Sequence, residues 1–199
     1  MRIPRLVWIV MMVSFLIAAA LAVHAGAQMR FPDEREWTAL SFNLLNLHFY
    51  TLDGVKPTAC RPPGFPGFLG LFHWMGLHIV ALRIVNVCLF ELSVLLLYLL
   101  ARTAGPPASA SLAVLGVLAF PLPLYTASTL LPQTLGTALL LGSLVFLLAS
   151  GKLTASKAVA AGLCWAALAL SIPTFLLLLP VLCGGLFLWK RRDFGRQLI

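Results

Sequence analysis

A chain of 199 residues that is 61% hydrophobic and only 10% charged, with a mean hydropathy of +0.99, falls outside the soluble globular class. Its net charge of +8 comes from basic residues at the edges of apolar runs, at Arg2 and Arg5, Arg102, Lys152 and Lys157, and Lys190-Arg191-Arg192. That distribution argues against nucleic acid as a partner and fits loops that retain positive charge on the cytoplasmic side of a membrane.

The composition predicts an all-α integral membrane protein of about six transmembrane helices, with a long extracytoplasmic first loop carrying an interfacial amphipathic helix. As a single membrane domain over 1–199, it divides into a first span within 1–28, a loop over 29–76, the remaining spans over 77–189 and a cytoplasmic tail over 190–199. Residues 6–28 are apolar over a bilayer's width and follow Arg2 and Arg5, which puts the N-terminus inside. Ala25-Gly26-Ala27 resembles a signal-peptidase site, but the apolar run is longer than an ordinary signal core, so a span is expected.

The loop carries the residues with chemistry. Asp33 reads as a helix N-cap, with Pro32 before it and Glu36 three residues later completing a capping box. Trp37, Leu40, Phe42, Leu44, Leu45 and Leu47 follow at roughly helical spacing, and Asp53-Gly54 ends that helix in a turn. Pro57, Pro62, Pro63 and Pro66 exclude regular structure over 56–67 and hold Arg61 in a stiff segment. A short re-entrant or interfacial helix is expected over 68–75.

A second span over 77–100 contains Arg83, Asn86 and Glu91, whose cost in lipid predicts that they face other helices or a wet cavity. Arg83 and Glu91 are about 12 Å apart by helical rise, too far to pair with each other. Further spans are expected over 108–120, 133–149, 158–170 and 174–189, with an outer loop bracketed by Pro121, Pro123 and Pro132 and an outer turn at Ser171-Ile172-Pro173. Lys190-Arg191-Arg192 then leaves the C-terminus cytoplasmic. Cys60, Cys88, Cys164 and Cys183 have no metal-ligand spacing, and those within apolar runs read as buried small hydrophobes.

The order Arg30, Pro32-Asp33-Glu34, Trp37, Asn43-Leu44-Leu45, Tyr50, Gly54 and Pro57-Thr58-Ala59-Cys60-Arg61-Pro62-Pro63-Gly64-Phe65-Pro66 resembles the first extracytoplasmic loop of GT-C membrane glycosyltransferases. The likeness is to the N-terminal half of the branch holding lipid A aminoarabinose transferases and relatives of protein O-mannosyltransferases, which usually has Tyr where Cys60 stands. It continues through Leu131-Pro132-Gln133-Thr134-Leu135 and Leu170-Ser171-Ile172-Pro173-Thr174.

The resemblance implies transfer of a sugar from a polyprenyl-phosphate donor to an acceptor hydroxyl at the outer face. By the same token Asp33 acts as catalytic base, with Glu34 beside it, and Arg61 contacts the donor phosphate, with Arg30 as a second basic contact. A carboxylate against an apolar wall suits the base role, and a guanidinium matches phosphate oxygens. Asp33 and Glu34 leave a divalent metal open, with an incomplete oxygen set. Gln133 stands where the family commonly has an acid, and Ile172 where it often has Arg. Membrane lipid and other membrane chains are therefore expected as partners, and a non-catalytic subunit or scaffold of a larger membrane complex is the alternative.

Overall fold

The computed structural model describes residues 3–149, 153–181 and 184–185. All regular structure among them is helical: α1 (Arg5–Ala25), α2 (Pro32–Leu47), α3 (Gly64–Trp74), α4 (Ile79–Ala104), α5 (Pro107–Leu118), α6 (Pro121–Ala127), α7 (Pro132–Leu148) and α8 (Ala155–Ser171), then a 3-10 turn, Pro173–Leu178. Of the expected span over 174–189, residues 174–178 lie in that 3-10 turn, while 182–183 and 186–189 fall outside the described residues, as do Arg2, Lys152, Cys183 and the basic tail.

Two of these helices, α1 and α4, are long and apolar enough to cross a membrane. α5 and α6 together would make a third crossing, bent by 68° between them. α7 and α8 are apolar but have 17 residues each, about 25 Å at helical rise against a hydrocarbon core of about 30 Å.

α4 is the centre of the bundle and packs against α1, α5, α6 and α7. α1 meets the bundle along one stripe, Val7, Met11, Ser14, Ala18, Ala22 and Ala25, spaced by three and four residues. Its small members let the backbones approach, and Ala18 and Ala22 pack on Val87 of α4. The other side of α1, with Ile9, Met12, Val13 and Leu16, is exposed on the protein and suits lipid contact. Towards the other end of α4, Val7 and Met11 join Phe90, Val94, Tyr98, Ala110 and Val114 in one core.

At one end of the bundle four connections gather: the exit of α1, the start of α4, the α6–α7 link and the end of α8. α2 and α3 pack on each other there, and Trp37, Leu40, Phe65, Leu69, Leu82 and Leu130 form their shared core with the bundle. Segments expected on one side of the membrane thus meet in space.

Several expectations need correction. Asp33 is not the N-cap: α2 begins at Pro32, so Asp33 lies inside the first turn. Pro at the first helical position loses no hydrogen bond and has the right φ already, which moves the boundary upstream. α3 starts at Gly64 rather than 68, because Pro66 falls in the first turn, where its missing N–H is not needed. The outer loop between Pro121 and Pro132 is mostly α6, started by Pro121. Cys88 is exposed on α4 rather than buried, and Cys164 is half-buried. Facing lipid serves an apolar thiol as well as facing a core.

Two local features anchor the loop. Asp53 Oδ1 accepts from the Val55 and Lys56 amides and from the Thr51 hydroxyl, each at 2.9 Å, while Gly54 takes φ +76°. A Cβ on Gly64 would come within 2.6 Å of the Leu170 carbonyl carbon, so only glycine lets α3 start against the end of α8.

Gly64→Ala is expected to cost about 1–3 kcal/mol through this overpacking. Gly67→Ala, whose Cβ would meet nothing within 4 Å, serves as the clash-free control and is expected to gain about 0.5–1 kcal/mol. Thermal unfolding in detergent compares them, and equal midpoints would show that α3 does not dock on α8 as described.

Those amide and hydroxyl bonds hold the Asp53 carboxyl down to about 2 from its ordinary 3.8. A carboxyl depressed by folding adds stability above its unfolded value and loses it as the pH falls through about 2. NMR titration of labelled aspartate in micelles should show Asp53 ionised well below 3.8; a midpoint at 3.8 would mean that the turn is not formed.

Candidate functional site

The run Pro32-Asp33-Glu34-Arg35-Glu36-Trp37 winds once and a half around the start of α2. Each step of about 100° sends the next side chain to a different environment. Glu34 points inward, in register with Trp37 and Ser41, and is fully buried. Its Oε1 accepts from Arg83 Nη1 at 2.8 Å and from the Leu130 amide at 2.8 Å. Its Oε2 accepts from the amides of Arg30 (2.8 Å) and Phe31 (3.3 Å), which caps the helix from its third position.

Arg83 is equally buried and ties three segments to α4. Besides Glu34, Nη1 donates to the Ser128 carbonyl at 2.9 Å and Nη2 to the Gln28 carbonyl at 2.7 Å. One turn further along α4, the Asn86 amide donates to the carbonyls of Thr129 (2.7 Å) and Ala127 (3.2 Å) and to the Thr134 hydroxyl (3.3 Å). The third polar residue of this helix, Glu91, accepts from Ser14 of α1 at 2.6 Å. The expected helix-to-helix contacts are therefore present, and Arg83 and Glu91 do not pair.

Asp33 points about 100° around α2 from Glu34, away from this node, and is about half exposed. Its Oδ1 accepts from Arg61 Nη2 at 2.6 Å, while Glu36 Oε2 accepts from Arg61 Nε at 2.7 Å. The guanidinium carbon lies 5.2 Å from the centre of the Trp37 ring, adding a cation–π contact. The Glu36 hydrogen bond, then the charges of both acids, hold the Arg61 pKa above its ordinary value despite partial burial. The backbone beneath Arg61 is pinned by Tyr50, whose hydroxyl donates to the carbonyls of Arg61 (3.0 Å) and Pro62 (3.2 Å). Burial first, and then Cys60, push the Tyr50 phenol up to about 12, so it remains a donor.

Of the four residues singled out from sequence, Asp33 and Arg61 are brought together. Glu34 is turned away from them and both its oxygens are occupied. Arg30 is exposed, with its backbone amide on Glu34. Asp33 and Glu34 therefore do not converge on a common ion, and among the described residues no group of three His, Cys, Asp or Glu side chains is placed to hold one. Glu36 was expected only to cap its helix and is instead the second carboxylate on Arg61. The register of Trp37 and Ser41 with Glu34 is a signal in the sequence that could have assigned Glu34 to the interior. The ion pair of Arg83 with Glu34, 49 positions away, leaves no comparable local trace.

Two cavities lie near these residues. A groove of about 870 Å³ follows the face of α2 opposite Asp33 and Arg61. A smaller one of about 280 Å³ lies between α4, α5, α6 and α7 and is lined in part by Gln133, Thr134 and Thr137. Compared with known proteins, the chain matches no family model, and no curated protein or solved structure is significantly similar to it.

Removing one partner of the buried pair should be severe. Glu34→Ala is expected to cost about 3–5 kcal/mol, and adding Arg83→Met should recover a large part of the loss by removing the stranded charge. Asp33→Ala, at an exposed pair, should stay within about 1 kcal/mol. Thermal unfolding of the four proteins in one detergent tests this; a Glu34→Ala midpoint equal to that of Asp33→Ala would contradict the buried node.

Proposed function

We propose that this chain is a GT-C-like membrane protein that transfers a sugar from a polyprenyl-phosphate donor to an acceptor hydroxyl at the outer face of the cytoplasmic membrane, working with a partner membrane chain. About six spans, an extracytoplasmic loop over 29–76 and cytoplasmic termini belong to the same reading. Its main support is the Asp33–Arg61 pair: a carboxylate and a guanidinium 28 positions apart, joined at 2.6 Å on an exposed rim. Helix capping does not account for Asp33, because Glu34 does that work from the buried side.

In this reading Asp33 removes the proton of the acceptor hydroxyl as its oxygen bonds to the anomeric carbon. The bond from that carbon to the phosphate oxygen breaks, and its electron pair leaves with the polyprenyl phosphate. Arg61 neutralises the phosphate charge, and Glu36 and Trp37 keep the guanidinium in place when Asp33 lets go of it. Arg30, exposed just before α2, supplies a second phosphate contact. Glu34 then has a positioning role, holding the first turn of α2 so that Asp33 faces outward.

A different observation favours a non-catalytic subunit or scaffold of a larger membrane complex. Only Asp33 of the adjacent acids is free to act, and Gln133 lies in the smaller cavity, away from Arg61, with no carboxylate to add.

Membranes containing the protein, supplied with a polyprenyl-phosphate sugar, separate the two readings. Asp33→Asn should lower transfer roughly 100-fold or more while leaving the unfolding midpoint unchanged. Transfer undiminished in Asp33→Asn, or no transfer by the wild type in the presence of every co-purifying chain, would hand the protein to the scaffold reading.

A further inference from the structure

The 870 Å³ groove on the far side of α2 is not used by the proposed transfer chemistry. It is of a size that takes a sizeable small-molecule ligand. One wall is α2, through Arg35, Thr38, Ala39 and Phe42, whose spacing of three and four residues puts them on one face. The other wall is the exit of α1 at Ala27 and Met29 together with the entry of α4 from Leu77 to Val80. These are the ends of the two span-length helices, so the groove opens where hydrocarbon gives way to headgroups.

Its chemistry is amphiphilic and its charge has one sign. Met29, Phe42, Leu45, Leu52 and Leu77 supply apolar surface, and no acidic side chain lines it. Arg35 and His78 line it, both are exposed, and neither has an ion-pair partner among the described residues. The first turn of the 26-residue α4 reaches the groove at Ile79 and Val80 without a side-chain cap, adding the positive end of a helix dipole. His73 Nε2 is shut away from solvent with no hydrogen-bond partner, and burial keeps this ring's pKa below its ordinary value. Next to the groove, at the end of α3, Leu71, Trp74 and Met75 are exposed, a set that suits immersion in the interface.

We infer that this groove seats one anionic glycerophospholipid of the surrounding bilayer, with the phosphate on Arg35 and the first turn of α4 and an acyl chain along Phe42, Leu45 and Leu52. The charge excludes a zwitterionic lipid as an equal occupant, and the opening at the ends of two spans favours a bilayer lipid over a soluble ester. Because the seat and the Asp33–Arg61 pair are on opposite faces of α2, each can be disabled without the other.

The test uses the full chain reconstituted in vesicles of equal phosphatidylcholine and phosphatidylglycerol, then extracted in mild detergent for native mass spectrometry. One phosphatidylglycerol should be retained in preference to phosphatidylcholine. Arg35→Gln should lower its occupancy constant roughly tenfold, as loss of a charge-assisted contact implies. Ala39→Trp, which fills the groove, should remove it, and Arg61→Gln should leave it bound. Retention indifferent to headgroup, retention unchanged in Arg35→Gln, or displacement by soluble glycerol phosphate alone would overturn the assignment. Arg35 is an exposed position, so Arg35→Gln decides the matter even where Ala39→Trp fails to fold.

Discussion

The ion pair of Glu34 with Arg83 is the constraint on which the rest of the loop depends. α4 is apolar enough to cross a bilayer, and a guanidinium near its start has no water to fall back on. Its hydrogen bonds must come from protein, and they come from the exit of α1, the first turn of α2 and the α6–α7 link. Each of those segments lies at a helix terminus and has carbonyls or a carboxylate to offer. Satisfying one cation thus draws three connections to a single point and sets the angle at which α2 leaves the bundle.

The same turn of α2 shows how neighbouring residues divide the work. Glu34 goes inward to Arg83, Asp33 and Glu36 share Arg61 on one rim, and Arg35 faces a groove on the other side. The separation follows from helical rotation alone once Glu34 is fixed. Arg61 is stiffened from the other direction, by the prolines around it and by the Tyr50 hydroxyl on its carbonyl. A charged pair on an exposed rim ordinarily loses side-chain entropy for little gain. Here Trp37 and the pinned backbone restrict Arg61 before the pair forms, so the geometry is largely prepared.

The apolar parts of the chain were easy to read because hydropathy acts locally. The runs that became α1 and α4 needed no partner to be recognised, and Arg83, Asn86 and Glu91 announced inward-facing contacts by their cost in lipid. Proline misleads at Pro66 and Pro121, which read as parts of an irregular segment and a loop and instead lie in or begin a first helical turn, while Pro32, which reads as the residue before the N-cap, is itself the first residue of α2. The reason is that a first-turn N–H has no helical acceptor, so proline gives up nothing there. Asp33 and Arg61 were chosen through family-like spacing, and they do meet. Glu34 was chosen with them and is buried instead, because adjacency in sequence means divergence on a helix.

What the sequence by itself determined is an all-helical chain with apolar helices able to span a membrane, the polar loop between two of them and the residues in it with chemistry to offer. These depend on composition, periodicity and local turn chemistry, which act over a few residues. Only the tertiary structure decided that Glu34 belongs to Arg83 and Asp33 to Arg61, that α3 docks against the end of α8 through Gly64, and that α2 leaves an apolar groove beside Arg35. Those outcomes join residues 28 to 107 positions apart, and the free energy of pairing a buried charge or closing a helix contact depends on what the folded chain brings within reach.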